Sequence, residues 1–323
     1  MNNINDRNIK VWSTIGSRAT FGMSMLEIAK EINNLMVLTC DVSTSAGLDR
    51  FRKLYPDKYV DLGIAEQNMI GVAAGLASEN FNVVTTTFAP FQTMRCLEQI
   101  KVNLGYMGQK ICMVGIASGL VLGTLGYTHC CIEDFGVLRS IPGIVILSPA
   151  DTLETVKSVE AAIKYSKSTY IRLTGAANNP IVFDKDYNFE IGKFVKLRDG
   201  DDICIVATGS MVKTSLNVAD ILKDKNFNTT VYNAHTIKPI DKDEIKVISK
   251  KFKHIFTIEE HNIIGGLGSA ISEEIANLKN DNRLKRIGIN DTYSKGGSYK
   301  FLKEMHGLTE EKIINTIETE MKI

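Results

Sequence analysis

Two α/β domains, each a mainly parallel sheet flanked by helices, are what this 323-residue sequence predicts. Three observations carry that expectation. Short β-branched runs alternate with longer stretches of helical periodicity, the pattern of βαβ units. The length exceeds one average domain, for which ~100–200 residues is usual. From about Gly175 to Gly200 the alternation dissolves into GAANNP and a charged, glycine-containing stretch, which marks a boundary. The domains are expected at 1–180 and 201–323, with a linker at 181–200.

In the first domain the strands are expected at Leu35–Thr39, Val83–Thr86, Ile111–Gly115, Ile144–Ser148 and Thr169–Leu173. Helices are expected near Ser17–Asn33, Glu66–Ser78, Thr93–Asn103, Ile132–Ser140 and Thr152–Lys164. The last has a clear start, since Pro149 stops the preceding strand and Asp151 can cap the helix. In the second domain strands are expected at Ile203–Ala207, Thr229–Asn233, Ile255–Ile258 and Lys285–Ile289. Its helices are expected at Met211–Lys223, Asp241–Lys251, Gly268–Leu278 and Glu310–Ile317.

Charge is balanced, 38 Lys+Arg against 37 Asp+Glu, so no net field favours nucleic acid or an anionic membrane. Small molecules and proteins are the expected partners. The six cysteines lie mostly in apolar runs and form no C-x-x-C pair, which fits buried, reduced thiols. The polar N-terminus and the lack of ~20 uninterrupted apolar residues lead to the expectation of a cytoplasmic chain.

The most informative stretch is Asp61-Leu62-Gly63-Ile64-Ala65-Glu66-Gln67-Asn68, followed by the small-residue helix MIGVAAGLA. Taken alone, Glu66 is a carboxylate complementing the positive end of a helix. Further on, Thr87-Phe88-Ala89-Pro90-Phe91-Gln92-Thr93-Met94 holds two phenylalanines three apart. Asp41 and Ser45 fall in a polar cluster at the end of the first strand, where open α/β sheets bind ligands, although Asp41 equally suits an Asx turn. Arg172 ends the last strand of the first domain, where exposure is not the default.

The order and spacing of these segments resemble the transketolase superfamily along nearly the whole chain, beginning with its D-x-G-I-A-E-Q motif. The resemblance implies that Glu66 hydrogen-bonds the pyrimidine N1′ of thiamine diphosphate in a largely dry site, where proton sharing is favoured. It implies that Phe88 and Phe91 stack on the aminopyrimidine, with Met94 where transketolases usually carry Tyr. It places Asp41 near the cofactor. Ser45, Arg18 (in Gly16-Ser17-Arg18) and Arg172 fall where the family holds a sugar phosphate, a task suited to the guanidinium fork. His129, in Gly126-Tyr127-Thr128-His129, takes the family's histidine position, donating to substrate hydroxyls and the developing oxyanion.

Two departures bear on the substrate. Leu125 stands where transketolases use an aspartate to recognise the hydroxyl beside the ketose carbonyl, and Ala117 where they place another histidine. Losing a buried partner for one hydroxyl weakens selection for that stereochemistry, so a modified, branched or deoxygenated sugar is expected. In the second domain, Glu259-Glu260-His261-Asn262 and Gly265-Gly266-Leu267-Gly268-Ser269 resemble the family's third-domain turn. A Gly-rich turn before a helix can cradle phosphate, but it is read here as structural.

The family's diphosphate and metal motif, G-D-G followed by Asn, has no counterpart in the chain. The resemblance therefore implies the C-terminal subunit of a split transketolase, transferring a two-carbon ketol unit between a ketose phosphate and an aldose. An N-terminal partner subunit would hold the diphosphate through Mg2+ or Ca2+, in an α2β2 assembly. The β subunit of a 2-oxoacid dehydrogenase and a non-catalytic assembly subunit are the competing expectations.

Overall fold

The computed structural model describes residues 4–175 and 177–321. Seven strands form the first sheet: β1 (Leu35–Thr39), β2 (Tyr59–Asp61), β3 (Asn82–Phe88), β4 (Ile111–Ser118), β5 (Val145–Leu147), β6 (Thr169–Thr174) and β10 (Thr236–Lys238). Five form the second: β7 (Val195–Arg198), β8 (Ile203–Ala207), β9 (Thr229–Asn233), β11 (His254–Asn262) and β12 (Arg283–Ile289). The orders are β10-β5-β6-β4-β3-β1-β2 and β12-β11-β8-β9-β7, parallel except at the edges formed by β10 and β7. Central strands read as continuous apolar runs because helices cover both faces; every residue of β4, β6, β8 and β9 is buried.

The helix Glu66–Ser78 illustrates how local sequence positions the site. Met69, Ile70, Ala73 and Ala74 fall on one face and are buried, at a gain of roughly 1.5–3 kcal/mol for each large side chain. This burial fixes the first turn, and with it Glu66, over the ends of β1 and β3. The N-terminal helix, expected from Ser17, begins at Asp6 and kinks at Gly16, whose φ of 84° only glycine adopts easily. Its first part docks Ile9 and Trp12 on Leu153 and Val156.

Two departures concern the domain boundary. The 181–200 segment, expected as linker, carries β7 and packs Ile181 and Phe183 beside Trp12. The strand β10, from the second half of the chain, pairs antiparallel with β5 and closes the edge of the first sheet. One apolar cluster runs without a break from Met69, Met113 and Tyr170 to Cys204, Ile255 and Leu267, so the two sheets share a core. All six cysteines are buried and unbridged; burial pushes the Cys40 thiol up to about 11 and the Cys96 thiol to about 12.

Candidate active site

Glu66 opens its helix 3 % exposed. Its Oε2 accepts a hydrogen bond from Arg95 Nη1 at 2.8 Å, while Oε1 has no partner among the described residues. The guanidinium carbon of Arg95 lies 3.8 Å from the centre of the Phe91 ring. Phe91 meets His129 edge-on at 5.4 Å and Phe88 at 6.4 Å, and Phe88 meets His129 at 6.4 Å. Edge-to-face contacts at 4.5–7 Å are the favoured aromatic geometry. Three segments far apart in the sequence thus place Glu66, Phe88, Phe91 and His129 in one cluster.

Asp61, the first residue of the sequence motif, ties the neighbouring loop to this cluster. Its Oδ1 accepts from the backbone N–H of Asp41 at 2.9 Å and of Gly63 at 3.0 Å. Its Oδ2 accepts from the hydroxyls of Thr39 at 3.1 Å and Tyr59 at 3.2 Å. Burial pushes its carboxyl up, but these donors outweigh burial and hold it below the ordinary carboxylate range. Asp41 itself is exposed, with its backbone held at φ 56°. Ala117, at the end of β4, has φ 52°. Left-handed backbone at non-glycine residues costs of order 1–3 kcal/mol and clusters at functional sites; both examples here sit at C-terminal ends of parallel strands.

The turn that carries Ser45 packs on the helix that carries Arg18. A Cβ at Gly47 would stand 2.8 Å from the Arg18 carbonyl oxygen, so the Ser43–Leu48 turn lies directly on the helix behind the Gly16 kink. The Arg18 guanidinium and the Ser45 hydroxyl are half-buried and hydrogen-bond to no described residue. Met94 is set apart from the rings, along an open groove with Gln67, Arg95 and Leu97. Leu125 is 56 % exposed in the short turn Gly123–Leu125, an apolar side chain with no core to fill.

Arg172 corrects the expectation of a phosphate grip. It is 1 % exposed, and every guanidinium nitrogen is engaged. Nε donates to Asp134 Oδ2 at 2.8 Å, Nη1 to Thr174 Oγ1 at 3.3 Å, and Nη2 to the carbonyls of Cys131 at 3.0 Å and Glu260 at 2.9 Å. The second domain docks over this end of β6, so the arginine knits the domains together instead of meeting a ligand.

The Gly-rich turn of the second domain is structural, as its reading from sequence has it. Glu259 Oε2 accepts from Leu267 N at 2.7 Å and Oε1 from Gly268 N at 2.8 Å, filling the helix N-terminus where a phosphate would sit. His261 stacks on Phe135 at 4.9 Å, accepts from Phe135 N at Nε2 (3.2 Å) and bonds the Asn262 carbonyl at Nδ1 (2.6 Å). Burial brings its pKa down to about 4, which keeps the ring neutral.

Arg95 and the organising role of Asp61 are what sequence reasoning missed. Arg95 lies in the turn past the short helix Ala89–Gln92, where no helical spacing links it to Phe91, so no periodic signal in the sequence pointed to it. Among the described residues no three His, Cys, Asp or Glu side chains are grouped to hold a metal ion. No helix among them is long and apolar enough to cross a membrane.

The fold and this cluster define a class: two α/β domains sharing a core, with an acid, two phenylalanines and a histidine gathered at strand ends of the first. The transketolase pyrimidine-binding domain matches residues 13–178, and the transketolase C-terminal domain matches residues 192–313. Such a pyrimidine-binding domain implies thiamine diphosphate. A Methanocaldococcus jannaschii chain provisionally named a transketolase C-terminal section is 36 % identical over 95 % of this chain and 96 % of its own length. One of the subunits of the apulose-4-phosphate transketolase of Phocaeicola vulgatus is 33 % identical over 94 % of this chain and 96 % of its own. A solved structure described as a split-gene transketolase, an inactive β4 tetramer, superposes with a TM-score of 0.87 at 30 % identity, covering 94 % of this chain and 98 % of that one. The chain belongs to the transketolase family of transferases and has the extent of its C-terminal section.

Proposed function

We propose that this chain is the C-terminal subunit of a two-chain, thiamine-diphosphate-dependent transketolase that moves a two-carbon ketol unit from a phosphorylated ketose to an aldose. The observation that carries the reading is Glu66: a buried carboxylate joined through Arg95 to the cluster of Phe91, Phe88 and His129, with one oxygen unpartnered among the described residues. That oxygen is left over on a side chain only 3 % exposed, and the pyrimidine N1′ is a fitting donor to it. Thiamine diphosphate, when bound, supplies the nucleophilic carbon and the electron sink for ketol transfer.

The chain's own residues do the rest. Glu66 holds a proton at N1′, Phe88 and Phe91 offer the apolar faces against which the aminopyrimidine is stacked, and Asp41 borders the ring's surroundings. His129 donates to substrate oxygens. Arg18 and Ser45, without partners among the described residues, receive the substrate phosphate. Met94 contributes at most an apolar edge. The diphosphate and its Mg2+ or Ca2+ belong to an N-terminal partner carrying G-D-G and Asn, in an α2β2 assembly.

The sugar is non-standard. An exposed Leu125 offers no hydrogen bond where an aspartate would recognise a hydroxyl, and the Phocaeicola vulgatus relative is described as acting on apulose 4-phosphate. The test is co-expression with the G-D-G partner and a screen of ketose phosphates for two-carbon release. The complex is expected to transfer ketol from a branched or deoxygenated sugar in preference to xylulose 5-phosphate, and the isolated chain to be inactive. Glu66→Gln in the complex should lower kcat by about a thousandfold or more. Unchanged turnover in that variant would refute the reading.

A further inference from the structure

The pairing of Glu66 with Arg95 has no counterpart among the site residues expected from the sequence. Two elements clamp each other reciprocally: Gln67 Nε2 donates to the Arg95 carbonyl at 3.2 Å, and Arg95 Nη1 donates to Glu66 Oε2 at 2.8 Å. The turn that carries Arg95 is itself locked, with Arg95 N bonded to Pro90 O at 3.2 Å and Cys96 Sγ to Phe91 O at 3.1 Å. The guanidinium therefore arrives at Glu66 from a rigid platform.

We infer that Arg95 is a positioning residue that sets Glu66 and Phe91 as one unit before the cofactor arrives, occupying Glu66 Oε2 so that Oε1 alone faces the ligand. The inference rests on the reading of Glu66 as the group that meets the pyrimidine. Its physical content is preorganisation. A free glutamate side chain has three rotatable torsions and two equivalent oxygens, and ordering them on binding weakens affinity. Here the order is already built in. One face of Phe91 is covered at 3.8 Å by a planar cation, and that cation's edge holds the carboxylate. Only arginine does both at once, because its fork is flat enough to stack and still donates from its rim. Lysine can match the charge but not the plane.

Arg95 is also 40 % exposed, so its guanidinium is not needed to fill the core. Its replacement should leave folding intact, which separates a positioning role from a structural one.

The experiment is a double-mutant cycle in the assembled two-chain complex, read as the dissociation constant for thiamine diphosphate by calorimetric titration, with the melting temperature followed in parallel. Arg95→Ala is expected to weaken cofactor binding about tenfold to a hundredfold, the span of a hydrogen bond to a charged group, with little change in melting temperature. Arg95→Lys is expected to recover part of that loss. In a Glu66→Gln background, Arg95→Ala should cost less than about threefold, because the residue acts through Glu66. An equal loss in both backgrounds, or no loss in the Glu66-containing complex, overturns the inference. Should Glu66→Gln alone leave both affinity and turnover unchanged, the thiamine reading itself fails. Should it abolish turnover while the Arg95→Ala penalty persists undiminished, only the role of Arg95 falls.

Discussion

Two regions of the molecule present nearly the same sequence ingredients, a glutamate and a histidine beside glycine-containing turns, and do opposite things. At the ends of β1, β3 and β4, Glu66 keeps one oxygen without a partner among the described residues, the Ser45 hydroxyl and Arg18 guanidinium bond none of them, and two non-glycine residues hold left-handed backbone. At the end of β11, Glu259 spends both oxygens on a helix N-terminus and His261 both ring nitrogens on backbone. A turn at a strand end is a site when its polar groups are left over. Where they are consumed internally, the same motif is a joint.

Substitutions in each region test the contrast. The largest effect belongs to the first region: Glu66→Gln should remove catalysis at little cost in stability. Next comes Arg172→Ala. Stripping the buried Asp134 of its partner should destabilise the chain by about 3–5 kcal/mol, measured by urea unfolding. A wild-type midpoint would return Arg172 to the ligand-binding set. Smaller again is Glu259→Ala, which leaves the N–H groups of Leu267 and Gly268 unpaired and should cost about 2 kcal/mol. In the assembled complex it should keep kcat near wild type; a Glu259 variant that lost turnover without losing stability would abolish the distinction between site and joint.

The smallest expected effect is a pH dependence. Glu154 is buried, accepts from Ala150 N at 2.6 Å and from Asn233 Nδ2 at 2.7 Å, and is bonded to the Tyr187 hydroxyl. Burial raises its pKa to about 7 from an ordinary 4.5. Between those values the folded chain holds a proton that the unfolded chain has released, so this group's contribution to stability falls as pH rises. Asp151, raised by burial to about 6, acts in the same direction, while His261, lowered to about 4, acts in the opposite one below pH 6.5. The melting temperature of Glu154→Gln relative to wild type should therefore climb from pH 5 to pH 8. A flat or falling difference would mean that Glu154 ionises freely in the fold.

Legibility in the sequence followed the source of each element's stability. The helices Glu66–Ser78 and Thr152–Lys164 and the strands β1, β8 and β9 coincide with their expected bounds, because their own apolar pattern and, for Thr152–Lys164, the Asp151 cap define them. Strands β2, β7 and β10 were missed; β2 is three residues long and exists by pairing with β1. The sequences of β7 and β10, VKLR and TIK, carry no periodic signal and become strands only by pairing with β9 and β5. The site divides in the same way. Glu66, Phe88, Phe91 and His129 were readable as motif residues and converge in space. Arg172 was misread because position at a strand end says nothing of which domain covers that end. Arg95 was passed over because an arginine in a helix-like run is ordinarily a solvated one.

The small strand β10 has a consequence for how the subunit meets a partner. It hydrogen-bonds to the border of the first sheet while belonging, by chain order, to the second domain. A product ending near residue 180 would leave Val145–Leu147 as a bare edge, open to pairing with any neighbouring chain. The second domain thus covers one edge of the first sheet within a single polypeptide, and the first sheet's border is complete only when the whole chain is present.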